Sequence, residues 1–232
     1  MDPLALLPEL QRATDRMLTT VQRLSDADLS APSLLPGWSR GHVVTHVARN
    51  ADSLCNLLTW ARTGVETPQY ASQQLRDADI EAGAPRPLAA QLADLRSSAI
   101  QFAERADAMP ASAWGATVRT RGGSEALAAT LVWARLREVE IHHVDLGADY
   151  RPDAWPNSFS HRLTHELLHD VADALPAAVH CPELDPEATP DGSRPVVTGP
   201  AYALAAWLIG RSDGHGLTIT PEGPLPTVPT WR

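Results

Sequence analysis

The sequence predicts a mainly α protein, with a four-helix bundle over residues 1–150 followed by a small C-terminal α/β domain at 156–232. Three observations carry this expectation. Four long stretches of the first part repeat apolar residues at intervals of three and four, the period of a helix with one buried face. The segment ADYRPDAWPNS, with Pro152 and Pro156, interrupts that pattern as a linker would. Beyond it, two β-branched runs bounded by Gly and Pro stand on either side of a short apolar segment.

Each element follows from its own residues. Leu7, Leu10, Met17, Val21 and Leu24 make the first 25 or so positions an amphipathic helix, which SAPSLLPGW, with Pro32 and Pro36, brings to an end. Ser39 stands where an N-cap is expected, and the following helix runs to Thr63 and Gly64 with Val43, Val47, Leu54, Leu57 and Leu58 on its apolar stripe. Residues 67–70 form a break. A polar helical stretch covers 71–82, and Pro85 and Pro87 restart the chain. Leu92, Leu95, Ala99, Phe102 and Ala106 then give a stripe that closes at Met109-Pro110. TVRTRGG reads as a loop or short hairpin, and the fourth long helix is expected over 124–147. In the second part FSHRLTHELLHDVADAL is helix-like and CPELDPEATPDGSRP is Pro-rich. Residues 195–199 and 216–220 read as strands, with a short apolar helix at 202–210 between them.

Composition narrows the function classes. The 232 residues hold 28 acidic against 19 basic side chains, a net charge of −9, so the basic footprint of a nucleic-acid surface is lacking. The N-terminus has no basic region followed by an apolar run, and no stretch is long and apolar enough to span a bilayer, so a cytoplasmic chain is expected. Two cysteines, Cys55 and Cys181, form neither a disulfide framework nor a C-x-x-C site. Cys55 follows Leu54 within an apolar helix and reads as a core residue. The expected partners are small molecules, and the chain a monomer or small homo-oligomer.

The chemistry concentrates in REVEIHHVD, residues 137–145. Glu138 and His142 stand four apart, on one face of a helix, where a carboxylate and an imidazole can grip one metal ion. The helix after Ser39 offers His42 and His46, one turn apart, and either could face the same cavity. His143 points about 100° away from His142 and cannot easily share its role. If a histidine of the earlier helix faces the pair, two imidazoles and one carboxylate leave coordination positions open, as suits a catalytic Zn²⁺. The competing explanation is a set of buried polar residues that satisfy one another. Asn50 and Asp145 are placed to orient an imidazole N–H, or are ordinary polar residues.

The blocks LLPGWSRGHVVTHVARNADSLCNLLTWARTGVETPQY and REVEIHHVDLG, with the later Gly210-Arg211, resemble the mycothiol-dependent maleylpyruvate isomerases, enzymes built on a DinB-like metal-binding bundle. The resemblance runs through the first 150 or so residues and returns near the C-terminal end. It implies metal ligation by His46, Glu138 and His142, with zinc or another divalent metal and mycothiol as cofactors, and it selects His46 over His42. An arginine important to catalysis in that family falls on Arg211. The implied reaction turns maleylpyruvate into fumarylpyruvate by reversible addition of the thiolate to the double bond, so neither protein cysteine need react. A mycothiol S-transferase on the same scaffold, ending in a conjugate, is the alternative, and a non-enzymatic metal-binding bundle is a further one.

Two features have competing explanations. Arg211 follows an apolar helix and a Gly, where a cation complements the helix dipole; as a catalytic group it would fork onto a substrate carboxylate. Residues 165–169, HELLH, match the H-E-x-x-H pattern of zinc proteases. That helix is rich in His by composition, with His161 a turn earlier, and no third ligand follows at a protease spacing, so a solvated helix face is expected.

Overall fold

A computed structural model describes residues 2–171, 174–187 and 193–229. They fall into two compact units, Met1–Ala148 and Asp149–Arg232.

In the first unit the long helices α1 (Leu7–Gln22), α3 (Arg40–Thr63), α5 (Leu88–Asp107) and α6 (Leu131–Asp145) form the bundle, with the short α2 (Asp26–Ser30) and α4 (Gln73–Gly83) in the connections. The core lies where α3 packs on α5 and α6 and where α1 packs on the same two helices. Helix α3 is central. Its expected stripe is buried, and so are Val44, His46, Ala48, Asn50, Ala51, Ser53 and Cys55, leaving little of its circumference to water. Both ends of α3 are specified locally. Ser39 Oγ accepts from the His42 N–H while His42 accepts from the Ser39 N–H, and Gly64 closes the helix at φ 72°.

Three contacts hold the start of α3 against the end of α6. Arg40 donates through Nε to Leu146 O (2.8 Å) and through Nη2 to Gly147 O (3.1 Å), satisfying carbonyls that a helix end leaves open. The Leu34 N–H donates to Asp145 O (2.8 Å). Helix α4 lies close enough to α3 that a methyl group on Gly83 would collide with Thr45, and one on Gly41 with the Ala84 carbonyl.

Several boundaries differ from expectation. The fourth long helix begins at Leu131, not near Ser124, because residues 125–127 are spent in a hairpin: β1 (Thr117–Arg119) pairs antiparallel with β2 (Glu125–Leu127). Helix propensity in EALAA yields there to ladder hydrogen bonds. On α5 the buried residues are Gln91, Leu95, Ser98, Phe102 and Ala106, while Leu92 and Ala99 sit on the flank. The stripe is rotated because Gln91 turns inward, its Nε2 donating to Ala84 O (2.8 Å). Helix α2, five residues with a Ser25 capping box, has no apolar period to announce it.

In the second unit α7 (Asn157–Val171) packs on α8 (Ala201–Leu208). A three-stranded sheet runs in the order β3 (Ala178–His180), β4 (Val196–Thr198), β5 (Thr218–Thr220), with β3 parallel to β4 and β4 antiparallel to β5. Two of these strands are the expected β-branched runs. Strand β3 is Ala-Val-His, too short and mixed to show in the sequence. Positions 172–173 of the expected helical run and 188–192 of the Pro-rich stretch lie outside the described residues.

Candidate metal centre

Two bundle helices converge on one point. His46 sits on the inward face of α3 and is 6 % exposed, while Glu138 and His142, one turn apart on α6, are half-buried. His46 Nε2 is 3.0 Å from Glu138 Oε2 and 3.0 Å from His142 Nε2, and the Glu138 and His142 atoms are 3.3 Å apart. Two imidazole nitrogens and a carboxylate oxygen thus form a small triangle. A tetrahedral ion with bonds of about 2.0–2.1 Å would hold its ligands at edges of about 3.3–3.4 Å, so the three atoms fit one divalent cation after a shift of a few tenths of an ångström. Among the described residues this is the one cluster of three or more His, Cys, Asp or Glu side chains with metal-binding proximity.

The surroundings orient two of the donors. His142 Nδ1 lies 2.8 Å from the buried Asp145 Oδ2. A carboxylate there holds the hydrogen on Nδ1 and turns the Nε2 lone pair toward the centre, the arrangement that buried metal ligands use. His46 is met edge-on by Trp38, with ring centroids 5.5 Å apart. Its Nδ1 faces Arg76 Nη2 at 3.3 Å.

The charges are set by the same contacts. Burial and the neighbouring His142 push His46 down to about 4, against the pull of Glu138. Burial also works against charge on Glu138, yet hydrogen bonds from His142 and His46 outweigh it and hold the carboxyl well below its ordinary range. Burial opposes a charged His142 too, but Asp145 and Glu138 push it up to about 9. Without an ion, the site at neutral pH therefore pairs one imidazolium with the Glu138 carboxylate, beside a neutral His46. A proton on His142 stands where a cation would stand.

The family model for the mycothiol maleylpyruvate isomerase N-terminal domain matches residues 10–147. The chain belongs to this family. A crystal structure of the mycothiol-dependent maleylpyruvate isomerase superposes on the chain with a TM-score of 0.87 at 29 % identity, covering 100 % of this chain and 98 % of that one. A second, of a variant of that isomerase with one histidine replaced by alanine, gives 0.86 at 28 % identity with the same coverage. No curated protein matches the chain.

Within this isomerase-family scaffold the other polar residues of the sequence have found different partners. His42 is taken by the α3 cap, with Nδ1 2.7 Å from Ser39 Oγ, and its Nε2 faces Glu81 at 3.3 Å. His143 faces α1, with Nε2 2.8 Å from Thr20 Oγ1. Asn50 orients no imidazole: its Oδ1 accepts from Nη1 of the fully buried Arg135 (2.8 Å), which also donates to Val47 O. In HELLH, His165 and His169 are exposed on α7, as a solvated face would be. Both cysteines are buried, and burial pushes their thiols up from the ordinary value, so neither is poised as a thiolate. Arg211 lies in the second unit just past α8, following Gly210 at φ 71°. Its N–H donates to Ala206 O and its Nη1 to Ile209 O (2.9 Å).

Arg76 escaped the sequence reading. It stands in the polar stretch before Pro85, where a basic residue among acidic ones looks like solvated surface. A fold that lays α4 over the start of α3 brings it to His46.

Proposed function

We propose that this chain is a metal- and mycothiol-dependent cis–trans isomerase that converts maleylpyruvate to fumarylpyruvate, with His46, Glu138 and His142 as the ligands of a zinc or other divalent ion. The observation that carries the reading is the convergence of three donor atoms within 3.0–3.3 Å, one of them turned by Asp145, in a chain of the isomerase family. When bound, the ion supplies a positive charge that favours the thiolate form of a thiol beside it.

The chain's own residues supply the rest. With a dication held there, Glu138 would contribute one negative charge and the two neutral imidazoles none, so the centre would stay net positive. Asp145 holds the His142 hydrogen on Nδ1, keeping Nε2 free to coordinate. The thiolate adds reversibly to the conjugated double bond, and rotation about the resulting single bond precedes its expulsion. Cys55 and Cys181, buried with raised thiol pKa values, stay out of the reaction. On the second unit, Arg211 is the proposed catalytic arginine, its planar guanidinium suited to a substrate carboxylate. The same reading takes the protein as cytoplasmic, acting on small molecules, as a monomer or small homo-oligomer. No helix among the described residues is long and apolar enough to cross a membrane.

Incubating the metal-loaded protein with maleylpyruvate, with and without mycothiol, tests the reading through the ultraviolet band of the substrate. Conversion to the trans isomer only when thiol is present is the expected result. Accumulation of a stable thiol adduct would replace the isomerase with an S-transferase, and no thiol-dependent change at all would end both.

A further inference from the structure

Arg76 sits beside the candidate metal centre with its side chain 12 % exposed, its guanidinium carbon 5.8 Å from the centroid of the Tyr70 ring. Its Nη1 donates to Asp77 Oδ1 (2.7 Å), a half-exposed carboxylate that also accepts from Gln73 Nε2. Its Nη2 meets His46 Nδ1 at 3.3 Å. A guanidinium carries donors only, and among the described residues Nη2 has no carboxylate or carbonyl partner.

In the role proposed for His46 that prong gains no acceptor. Nε2 is the atom that converges with Glu138 and His142, and an imidazole that ligates through Nε2 keeps its hydrogen on Nδ1. With an ion in place, the Nδ1–H of His46 would point at the Nη2–H of Arg76, donor against donor. Arg76 then has a prong with no acceptor on His46, next to a centre whose positive charge has increased. Both effects are relieved by one kind of ligand, an anion that takes the Arg76 donors in a planar fork.

We propose that Arg76 is a carboxylate-binding residue of the substrate site, its open prong engaged by one carboxylate of an unsaturated dicarboxylate beside the metal ion. The inference rests on the metal site and substrate class of the proposed function. It assigns them a cation on the bundle itself, carried by α4 and steadied by the face of Tyr70. Metal and dicarboxylate binding are thereby coupled: Arg76 opposes the ion in the absence of the anion and supports the anion once the ion is bound.

The test uses maleate, an unreactive cis-dicarboxylate, titrated calorimetrically into the metal-loaded protein, with Arg76→Gln and Arg76→Lys as variants. Loss of a charge-assisted fork is expected to weaken maleate binding about tenfold or more in Arg76→Gln, and less in Arg76→Lys, which keeps the charge. Without maleate, Arg76→Gln should bind the metal at least as tightly as wild type, because a positive charge beside the centre has been removed. Equal maleate affinity in wild type and Arg76→Gln, or no binding of maleate by the loaded wild type, would overturn the proposal, as would loss of metal from both variants. Maleate binding that depends on Arg76 in a protein that fails to isomerise maleylpyruvate would retain the anion site and retire the isomerase reading instead.

Discussion

Replacing Asp145 by Asn removes a charge from behind the candidate metal centre while leaving the shape of the side chain almost intact. Asp145 is 1 % exposed, and its Oδ2 lies 2.8 Å from His142 Nδ1. Removing such an outer partner costs metal affinity about 10- to 100-fold, equal to about 1.4–2.7 kcal/mol. The lower figure applies if the Asn oxygen keeps the bond, and the higher if its NH₂ turns toward Nδ1 and drives the hydrogen onto Nε2, where the ion must bind. The pH dependence offers a second measure. In the metal-free protein Asp145 and Glu138 overcome burial and push His142 up to about 9, so near pH 7.5 the ion must displace about one proton. Wild-type metal affinity should therefore rise with pH by up to tenfold per unit and level off above about 9. Because His142 is raised above its ordinary 6.5, its stabilisation of the metal-free fold is complete below that pH and is lost as pH rises through about 9. In Asp145→Asn one of the two raising partners is gone, so fewer protons are released and the plateau begins at lower pH. Competition with a chromophoric chelator from pH 6.5 to 9.5, and calorimetry in two buffers of different ionisation enthalpy, read affinity and proton count. A folded Asp145→Asn protein with wild-type affinity and wild-type proton release would refute the account of His142.

Four further outcomes follow from the same structure. His46→Ala leaves two protein ligands and should abolish tight zinc binding by metal analysis after dialysis; wild-type metal content would remove the assignment. A Cys55→Ala/Cys181→Ala protein that remains folded should keep its thiol-dependent rate within a few-fold, whereas an inactive but stable one would return the nucleophile to the protein. Arg211→Lys keeps the charge but not the fork, and should cost about tenfold or more in kcat/KM, about 1.4 kcal/mol, with metal content unchanged; wild-type kinetics in both Arg211→Lys and Arg211→Ala would make it a helix-end charge. Gly41→Ala forces a methyl group against the Ala84 carbonyl and should destabilise the bundle by about 1–3 kcal/mol, read as a lower thermal midpoint.

How much of this was legible in the sequence depends on the range of the interaction concerned. Helix α3 was readable at both ends because Ser39 and Gly64 act on backbone groups within a turn of themselves. The pairing of Glu138 with His142 was equally local, since a spacing of four places two side chains on one helix face in whatever fold the helix joins. The choice of His46 over His42 was not readable from spacing and came through family resemblance; the structure supplies the physical reason, the commitment of His42 Nδ1 to the cap at Ser39. The start of α6 is not local: β1–β2 pairing, a contact between segments, overrides the helix propensity of EALAA.

The sequence by itself determined the helices of the bundle, the one-turn placement of Glu138 and His142, and the absence of a disulfide framework, because periodicity, capping and residue chemistry are properties of neighbours along the chain. Only the tertiary structure decided that His46 meets that pair within 3.3 Å, that Asp145 rather than Asn50 orients an imidazole, and that Arg76 reaches His46. These contacts join side chains on different helices, or fix which rotamer a buried side chain adopts. Their geometry is set by the packing of α3 against α4 and α6, and no spacing along one helix encodes the rotation of another.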